Sequence, residues 1–369
     1  MSPAHTKKVR VLIVDDSTFM RKVLQDIIAS DAEMQVAGQA KDGREAVVMA
    51  ESLKPDVIAM DINMPHMDGL QASELIMASN PRPIVIVSSE SREGADSTLR
   101  ALELGAIEFV AKPSSGVDLD MNNVREDLLR KLKMAAKVRV VRTASRPKSH
   151  VAQNAGKNSG AQAAPKIAPP DMRFPVVVLA ASTGGPATVM RLAPGFTKDF
   201  PAAVILVQHM PASFTSQFAL QLSEFTNIRV KDAEHNEALL PGCLYVCPGS
   251  HHLRVTPTGR IQLDNSGRIG GYLPRIDVTM ETVAAYAGAM TIGAVLTGMG
   301  NDGVKGVQAI KAAGGLVIAQ DEASCVIFGM PAEAIKTGAV DHVLNIDDIY
   351  PAIEKRVLGI CRATPIGAR

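Results

Sequence analysis

The chain has 369 residues, 46% hydrophobic and 21% charged, with a formal net charge of +1. This is long enough for two domains of ordinary size, and the composition is that of a globular chain. The near-zero charge argues against DNA or an anionic membrane as a bulk electrostatic partner, and 4% aromatic residues without Trp argue against a base-stacking platform.

In chain order, MSPAHTKKVRVLIVDDS opens on basic residues, but its apolar stretch is too short for a signal peptide and runs into acids. Residues 9–16, VRVLIVDD, read as a strand; MRKVLQDIIAS has helical periodicity, MQVAGQA is a short strand, and GREAVVMAESL is a helix. DVIAMD (56–61), PIVIVSS (83–89) and IEFVAKP (107–113) are three further strands. Five such β-α units predict a parallel sheet covered by helices on both faces. The helix after Asp118 carries into basic sequence near Arg142, and residues 143–173 are dominated by Ala, Gly, Ser, Asn, Gln and Pro with no apolar period, which predicts a flexible linker.

From Phe174 the pattern resumes, with strands at PVVVLAA, AAVILVQHM, IRVKDA, CLYVCP, TIGAVLTG and GLVIAQD, and HLRVTPTGRIQLD reads as a hairpin turning at Thr258-Gly259. The expected fold is therefore α/β: two doubly wound parallel-sheet domains, the first flavodoxin-like and the larger second one carrying a β-hairpin. The boundaries are 9–130, a helix end and linker over 131–173, and 174–362. No apolar run approaches the roughly 20 residues of a membrane span. Cys243, Cys247, Cys325 and Cys361 are scattered, as in a reduced cytoplasmic chain. Cys243 and Cys247 with His251 and His252 invite a metal reading, but Cys243, Tyr245 and Cys247 share one strand face and no second pair at zinc spacing appears, so they read as core.

In an open parallel sheet, ligands sit outside the C-terminal ends of the strands. In the first domain those ends carry Asp15 and Asp16, Asp61, Ser88 and Lys112. Carboxylates converging on one pocket require a cation, and oxygen-only ligands point to Mg²⁺. A lysine and a hydroxyl beside them suit a phosphoryl group. Taken singly, each is a helix cap or a turn; four strand ends carrying the right groups together are not. VLIVDDS, MDINMPHMDG, VSS and AKP resemble the receiver domain of two-component response regulators. The resemblance implies that Asp61 accepts the phosphoryl group, that Asp15, Asp16, Asp61 and the Asn63 carbonyl hold Mg²⁺, that Ser88 and Lys112 contact the phosphoryl group, that Phe109 is the switching aromatic, and that Lys112-Pro113 is cis.

In the second domain, LAASTGGP ends a buried strand in Ser182, Thr183, Gly184 and Gly185, with Pro186 where a helix would start. By itself this reads as a helix cap with a glycine turn. The strand ending in His209 and the strand followed by Asp302 place a base and an acid on the same sheet edge. A serine hydroxyl needs a base to take its proton, and the base needs an acid to fix its tautomer. The chain order Ser, His, Asp differs from that of the α/β-hydrolases. No helix-turn-helix with a basic face and no Walker lysine is present, which disfavours a DNA-binding or nucleotide-binding second domain; a non-catalytic docking module is the remaining alternative. ASTGG, VQHMP, LTGMGNDG and DEASCVIFGMPAEA resemble the chemotaxis-response-regulator protein-glutamate methylesterases. The resemblance implies a Ser182 nucleophile, a His209 base with Asp302 as its partner, an oxyanion donor at Met299, and hydrolysis of glutamyl γ-methyl esters, with deamidation of glutamines, on chemoreceptors. It further implies a chemotaxis histidine kinase as phosphodonor, no nucleic-acid partner, no membrane insertion, and no cofactor for the esterase chemistry. Ala180 stands where the family usually has glycine, and Arg275 where a small serine is common.

Overall fold

The computed structural model describes residues 7–89, 91–112, 120–138 and 174–363. The expected linker over 143–173 and the Lys112-Pro113 bond lie outside the described residues.

The first half alternates β1 (Val9–Val14), α1 (Thr18–Ala29), β2 (Met34–Ala40), α2 (Gly43–Leu53), β3 (Val57–Met60), α3 (Gly69–Ser79), β4 (Ile84–Ser88), α4 (Arg92–Glu103), β5 (Glu108–Ala111) and α5 (Asp120–Ala135). The sheet is five-stranded in the order β2-β1-β3-β4-β5, and its strand pairs are parallel. Helices cover both faces, so β1 and β3 read as uninterrupted apolar runs: Leu12, Ile58 and Ile86 pack on one side, Val11, Ile13 and Val85 on the other. Helix starts follow local chemistry: Ser17, Asp42 and Asp68 each accept a hydrogen bond from the third residue beyond, at 3.3, 2.9 and 2.7 Å, each cap worth about 1 kcal/mol.

The second half runs β6 (Val176–Ala181), α6 (Gly185–Leu192), β7 (Ala203–Gln208), α7 (Ala212–Glu224), β8 (Arg229–Asp232), β9 (Cys243–Val246), β10 (His252–Val255), β11 (Ile261–Asp264), α8 (Ile276–Ala287), β12 (Thr291–Val295), α9 (Val304–Ala312), β13 (Leu316–Gln320), α10 (Met330–Lys336), β14 (His342–Leu344) and α11 (Ile346–Ala363). The seven-stranded sheet has the order β14-β13-β12-β6-β7-β9-β8, while β10 and β11 form the expected antiparallel hairpin. β6 lies at the centre, fully buried along its length, and the strand order reverses between β6 and β12. The reversal in the first sheet falls between β1 and β3. These switch points are where an open α/β sheet leaves a crevice at its C-terminal edge. Among the described residues, the strand the sequence reading missed is β14, two exposed residues and one half-buried at the sheet edge, too few to set a period.

The two halves of the chain are in contact. α4 packs on α7, and the Phe109 ring lies 4.4 Å from that of Phe214 at 40°. Gln217 Nε2 donates to Asp96 Oδ1 at 3.1 Å, Gln221 Nε2 donates to Glu103, and Arg130 reaches Met299 Sδ at 3.4 Å.

Candidate active site

At the C-terminal edge of the first sheet, carboxylate oxygens of Asp15, Asp16 and Asp61 lie within 4.8 Å of one another. Asp15 and Asp61 are buried, and Asp16 is exposed. Lys112 Nζ sits 2.8 Å from Asp61 Oδ2 and 2.9 Å from Asp15 Oδ2. Among the described residues, Lys112 is the one side chain paired with both buried carboxylates. Burial pushes the Asp61 carboxyl above the ordinary carboxylate range; Lys112 only partly offsets this, and the Asp15 charge adds to it. The Lys112 ammonium is pulled the other way: burial would lower it, but Asp61 and Asp15 together raise it. Three carboxylates against one ammonium leave surplus negative charge, and that all-oxygen donor set fits a hard divalent cation such as Mg²⁺. Asn63 follows Asp61 by two positions on an exposed loop. Ser88 ends β4 beside β3, but its hydroxyl turns to the Gly94 carbonyl at 3.3 Å.

At the second edge, Ser182 follows β6, His209 follows β7, and Asp302 lies beyond β12; these three strands are adjacent. Ser182 is clamped through its backbone: its N–H donates to Thr297 O at 3.1 Å, and its carbonyl accepts from Gly185 N–H at 2.8 Å and from Gln208 Nε2 at 2.8 Å. The glycines are required here. Gly184 has φ +74, and a Cβ on Gly185 would fall 2.0 Å from Gln208 Oε1. Pro186 occupies the first turn of α6, as expected.

His209 Nε2 pairs with Asp302 Oδ2 at 2.9 Å, which leaves Nδ1 as the other ring nitrogen; among the described residues no hydrogen bond joins His209 to the Ser182 hydroxyl. Asp302 is 1% exposed, yet both oxygens are satisfied: Oδ2 also accepts from Ile276 N–H at 2.8 Å, and Oδ1 from the N–H groups of Asp277 and Gly303, each at 3.0 Å. Burial alone would raise its carboxyl, but the hydrogen bond and charge of His209, with the backbone donors of Ile276 and Asp277, hold it below the ordinary range. Asp302 thus caps α8, the neighbouring helix. Asp277, in turn, accepts from Gly303 and Gly306 N–H at 2.9 and 3.0 Å across the start of α9. Met299, 37% exposed, lies between Gly298 and Gly300 at this edge; Gly298 is fixed by accepting from Gly329 and Met330 N–H at 3.0 and 2.8 Å.

The arrangement is that of an acyl-transfer site: a hydroxyl on a strand-to-helix turn, an imidazole, and a buried carboxylate holding one imidazole nitrogen. Sequence reasoning missed Gln208 and Asp277. Gln208 precedes His209 directly, and Asp277 is an acid in the first turn of a helix, a position that signals capping. The Cys243, Tyr245 and Cys247 side chains share one core cluster, as expected, while His252 hydrogen-bonds Gly267 O at 2.7 Å and accepts from Arg275 N–H at 3.0 Å.

A sequence profile of CheB methylesterase matches residues 177–353, and one of the response regulator receiver domain matches residues 11–122. The protein-glutamate methylesterase/protein-glutamine glutaminase of Pyrococcus horikoshii is 42% identical over 358 residues, covering 96% of this chain and 95% of its own length. The protein of the same description from Thermotoga maritima is 41% identical over 339 residues, covering 91% of this chain and 95% of its own. Among solved structures, the Thermotoga maritima CheB methylesterase catalytic domain is 39% identical with a TM-score of 0.48, covering 49% of this chain and 98% of that one. The response regulator domain of the same protein is 49% identical with a TM-score of 0.34, covering 36% of this chain and 99% of that one.

Proposed function

From the premise that the chain belongs to the protein-glutamate methylesterase/protein-glutamine glutaminase family, we propose that it hydrolyses glutamyl γ-methyl esters, and deamidates glutamines, on chemoreceptors through Ser182, His209 and Asp302, under control of phosphorylation at Asp61. The catalytic unit spans 174–362 and the receiver 9–130, with 131–173 joining them. The observation that carries the reading is the His209–Asp302 pair at 2.9 Å on the strand ends flanking Ser182.

The chemistry follows from the donors and acceptors. Asp302, held anionic, accepts the Nε2–H of His209 and so fixes the tautomer whose Nδ1 lone pair takes the Ser182 proton. Ser182 Oγ then adds to the γ-carbonyl carbon. The negative charge that develops on the carbonyl oxygen is met by the Met299 N–H, a contribution on the order of 10²–10³ in kcat. Collapse breaks the C–O bond of an ester or the C–N bond of an amide, and His209 returns its proton to the departing methanol or ammonia. Water, deprotonated by the same nitrogen, opens the glutamyl-serine ester to release glutamate and regenerate Ser182.

In the receiver, Asp15, Asp16, Asp61 and the Asn63 carbonyl would hold Mg²⁺, which when bound supplies charge neutralisation for the incoming phosphoryl group. Asp61 accepts that group, from a chemotaxis histidine kinase on this reading, and Lys112 and Ser88 contact it. Phe109 links this event to the catalytic unit, because its ring packs on Phe214 of α7. Contact of α4 and α5 with α7 and Met299 supports inhibition by the unphosphorylated receiver. Relief by tenfold needs only about 1.4 kcal/mol of differential docking. Among the described residues no helix is long and apolar enough to cross a membrane, and we assign the protein to the cytoplasm.

The test is methanol release from methylated receptor membranes. Ser182→Ala is expected to lose at least about 10³-fold in rate; full turnover by that variant would remove the assignment.

A further inference from the structure

Arg275 is the N-cap residue of α8, but its side chain makes no cap hydrogen bond and the proposed chemistry does not require it, yet that side chain is only 16% exposed. Its Nη2 donates to Asp277 Oδ2 at 2.7 Å, its Nε lies 3.6 Å from Asp302 Oδ1, and its Nη1 donates to Ile269 O at 3.0 Å. A Cβ on Gly270 would fall 2.1 Å from that Nη1, so the loop leaves room for the guanidinium. The same guanidinium lies 5.7 Å from the Tyr272 ring centroid. Tyr272 in turn stacks on the imidazole of His209, with centroids 4.9 Å apart and planes at 22°, and its hydroxyl lies against Gly300.

An imidazole held by one hydrogen bond is still free to tilt about it. Asp302 fixes one edge of the His209 ring; a stacked aromatic fixes its plane. We infer that Tyr272 and Arg275 are positioning residues: Arg275 ties the two capping carboxylates to Tyr272, and Tyr272 keeps the His209 ring in the plane that aims Nδ1 at Ser182. Stacking also acts when charge develops, since the π-face of Tyr272 lies against the ring that becomes cationic as it takes the serine proton. This inference rests on the catalytic reading of Ser182 and His209.

The experiment uses the full chain, with methanol release from methylated receptor membranes and the NMR signal of the His209 Nε2–H proton as readouts. Tyr272→Leu removes the stack without touching any capping carboxylate, and Arg275→Gln removes the tie. Each is expected to lower kcat roughly tenfold with KM changed less than about twofold, the mark of lost alignment rather than lost binding. Each should also broaden the Nε2–H resonance. Tyr272→Phe keeps the ring and should retain kcat within about twofold. Wild-type kcat and an unbroadened resonance in Tyr272→Leu and Arg275→Gln would overturn the brace. Ser182→Ala run alongside separates the two failures: activity in that variant defeats the catalytic reading, whereas an inactive Ser182→Ala beside fully active brace variants defeats the brace alone.

Discussion

The two sheets put their polar groups at the same topological place, the C-terminal edge at the strand-order reversal, but with opposite electrostatics. In the receiver, three carboxylates gather together and one lysine pairs with two of them, and Asp61 is pushed above the ordinary carboxylate range by burial, with the Asp15 charge adding to the effect. In the catalytic unit the buried Asp302 carboxylate is surrounded by an imidazole, three backbone N–H groups and a guanidinium; burial alone would raise it, but His209 and the Ile276 and Asp277 N–H groups hold it below the ordinary range. The first edge holds repulsion that, on the proposed reading, a cation and a phosphoryl group relieve; the second is already satisfied, as the proposed proton transfers require. A shared crevice geometry therefore says where a site lies, and the charge balance says what it does.

The comparison sharpens first at the catalytic edge. His209→Ala should lower methanol release by at least about 10⁴-fold, and adding Ser182→Ala should cost little more, because the residues act as one unit. Asp302→Asn should be less damaging to the rate but also destabilise the fold, since the carboxylate caps α8. The sign is fixed by its lowered folded value: the stabilisation is present above the ordinary carboxylate range and is lost as pH falls through that lower value. The melting difference from wild type should therefore be largest near neutral pH and shrink in acid.

The contact between the two units offers an intermediate effect. Gln217→Glu with Gln221→Glu would set carboxylates against Asp96 and Glu103. Basal methanol release by the unphosphorylated chain should rise about tenfold, the effect of roughly 1.4 kcal/mol of lost docking. An unchanged or lower basal rate would mean that the receiver does not inhibit through this face.

The smallest effect lies at the receiver edge. Because burial raises the folded value of Asp61, its ionisation costs stability. Its favourable contribution is present below the ordinary carboxylate range and lost as pH rises through the raised value. Asp61→Asn should therefore raise the receiver's melting temperature at neutral pH by a few degrees, the shift that roughly 1 kcal/mol gives a domain of this size, and the gain should vanish in acid. Millimolar Mg²⁺ should stabilise wild type more than this variant, and Asp61→Asn should take up no phosphoryl group from a small phosphodonor.

Most of this was legible in the sequence because both sheets are parallel and covered on both faces, so that β1, β3 and β6 stand out as apolar runs ending abruptly in polar residues. Ser182 and His209 were read as strand ends and Asp302 as the acid beyond one, and Asp15, Asp61 and Lys112 were read as strand ends too. Three features were not. Asp302 was read as the acid beyond a strand; that its carboxylate also caps α8 is a choice set by tertiary packing. The Tyr272 stack on His209 depends on a loop path that no periodicity encodes. The Phe109–Phe214 contact joins residues 105 positions apart (214 − 109), one on β5 and one on α7, and neither residue's local pattern signals a partner.

The central claim, that His209 activates Ser182, is tested most directly by mapping a serine-directed fluorophosphonate on the full chain by mass spectrometry. A single adduct on Ser182 is expected, formed far more slowly in His209→Ala. Absence of an adduct on Ser182, or labelling at the same rate without His209, would contradict it.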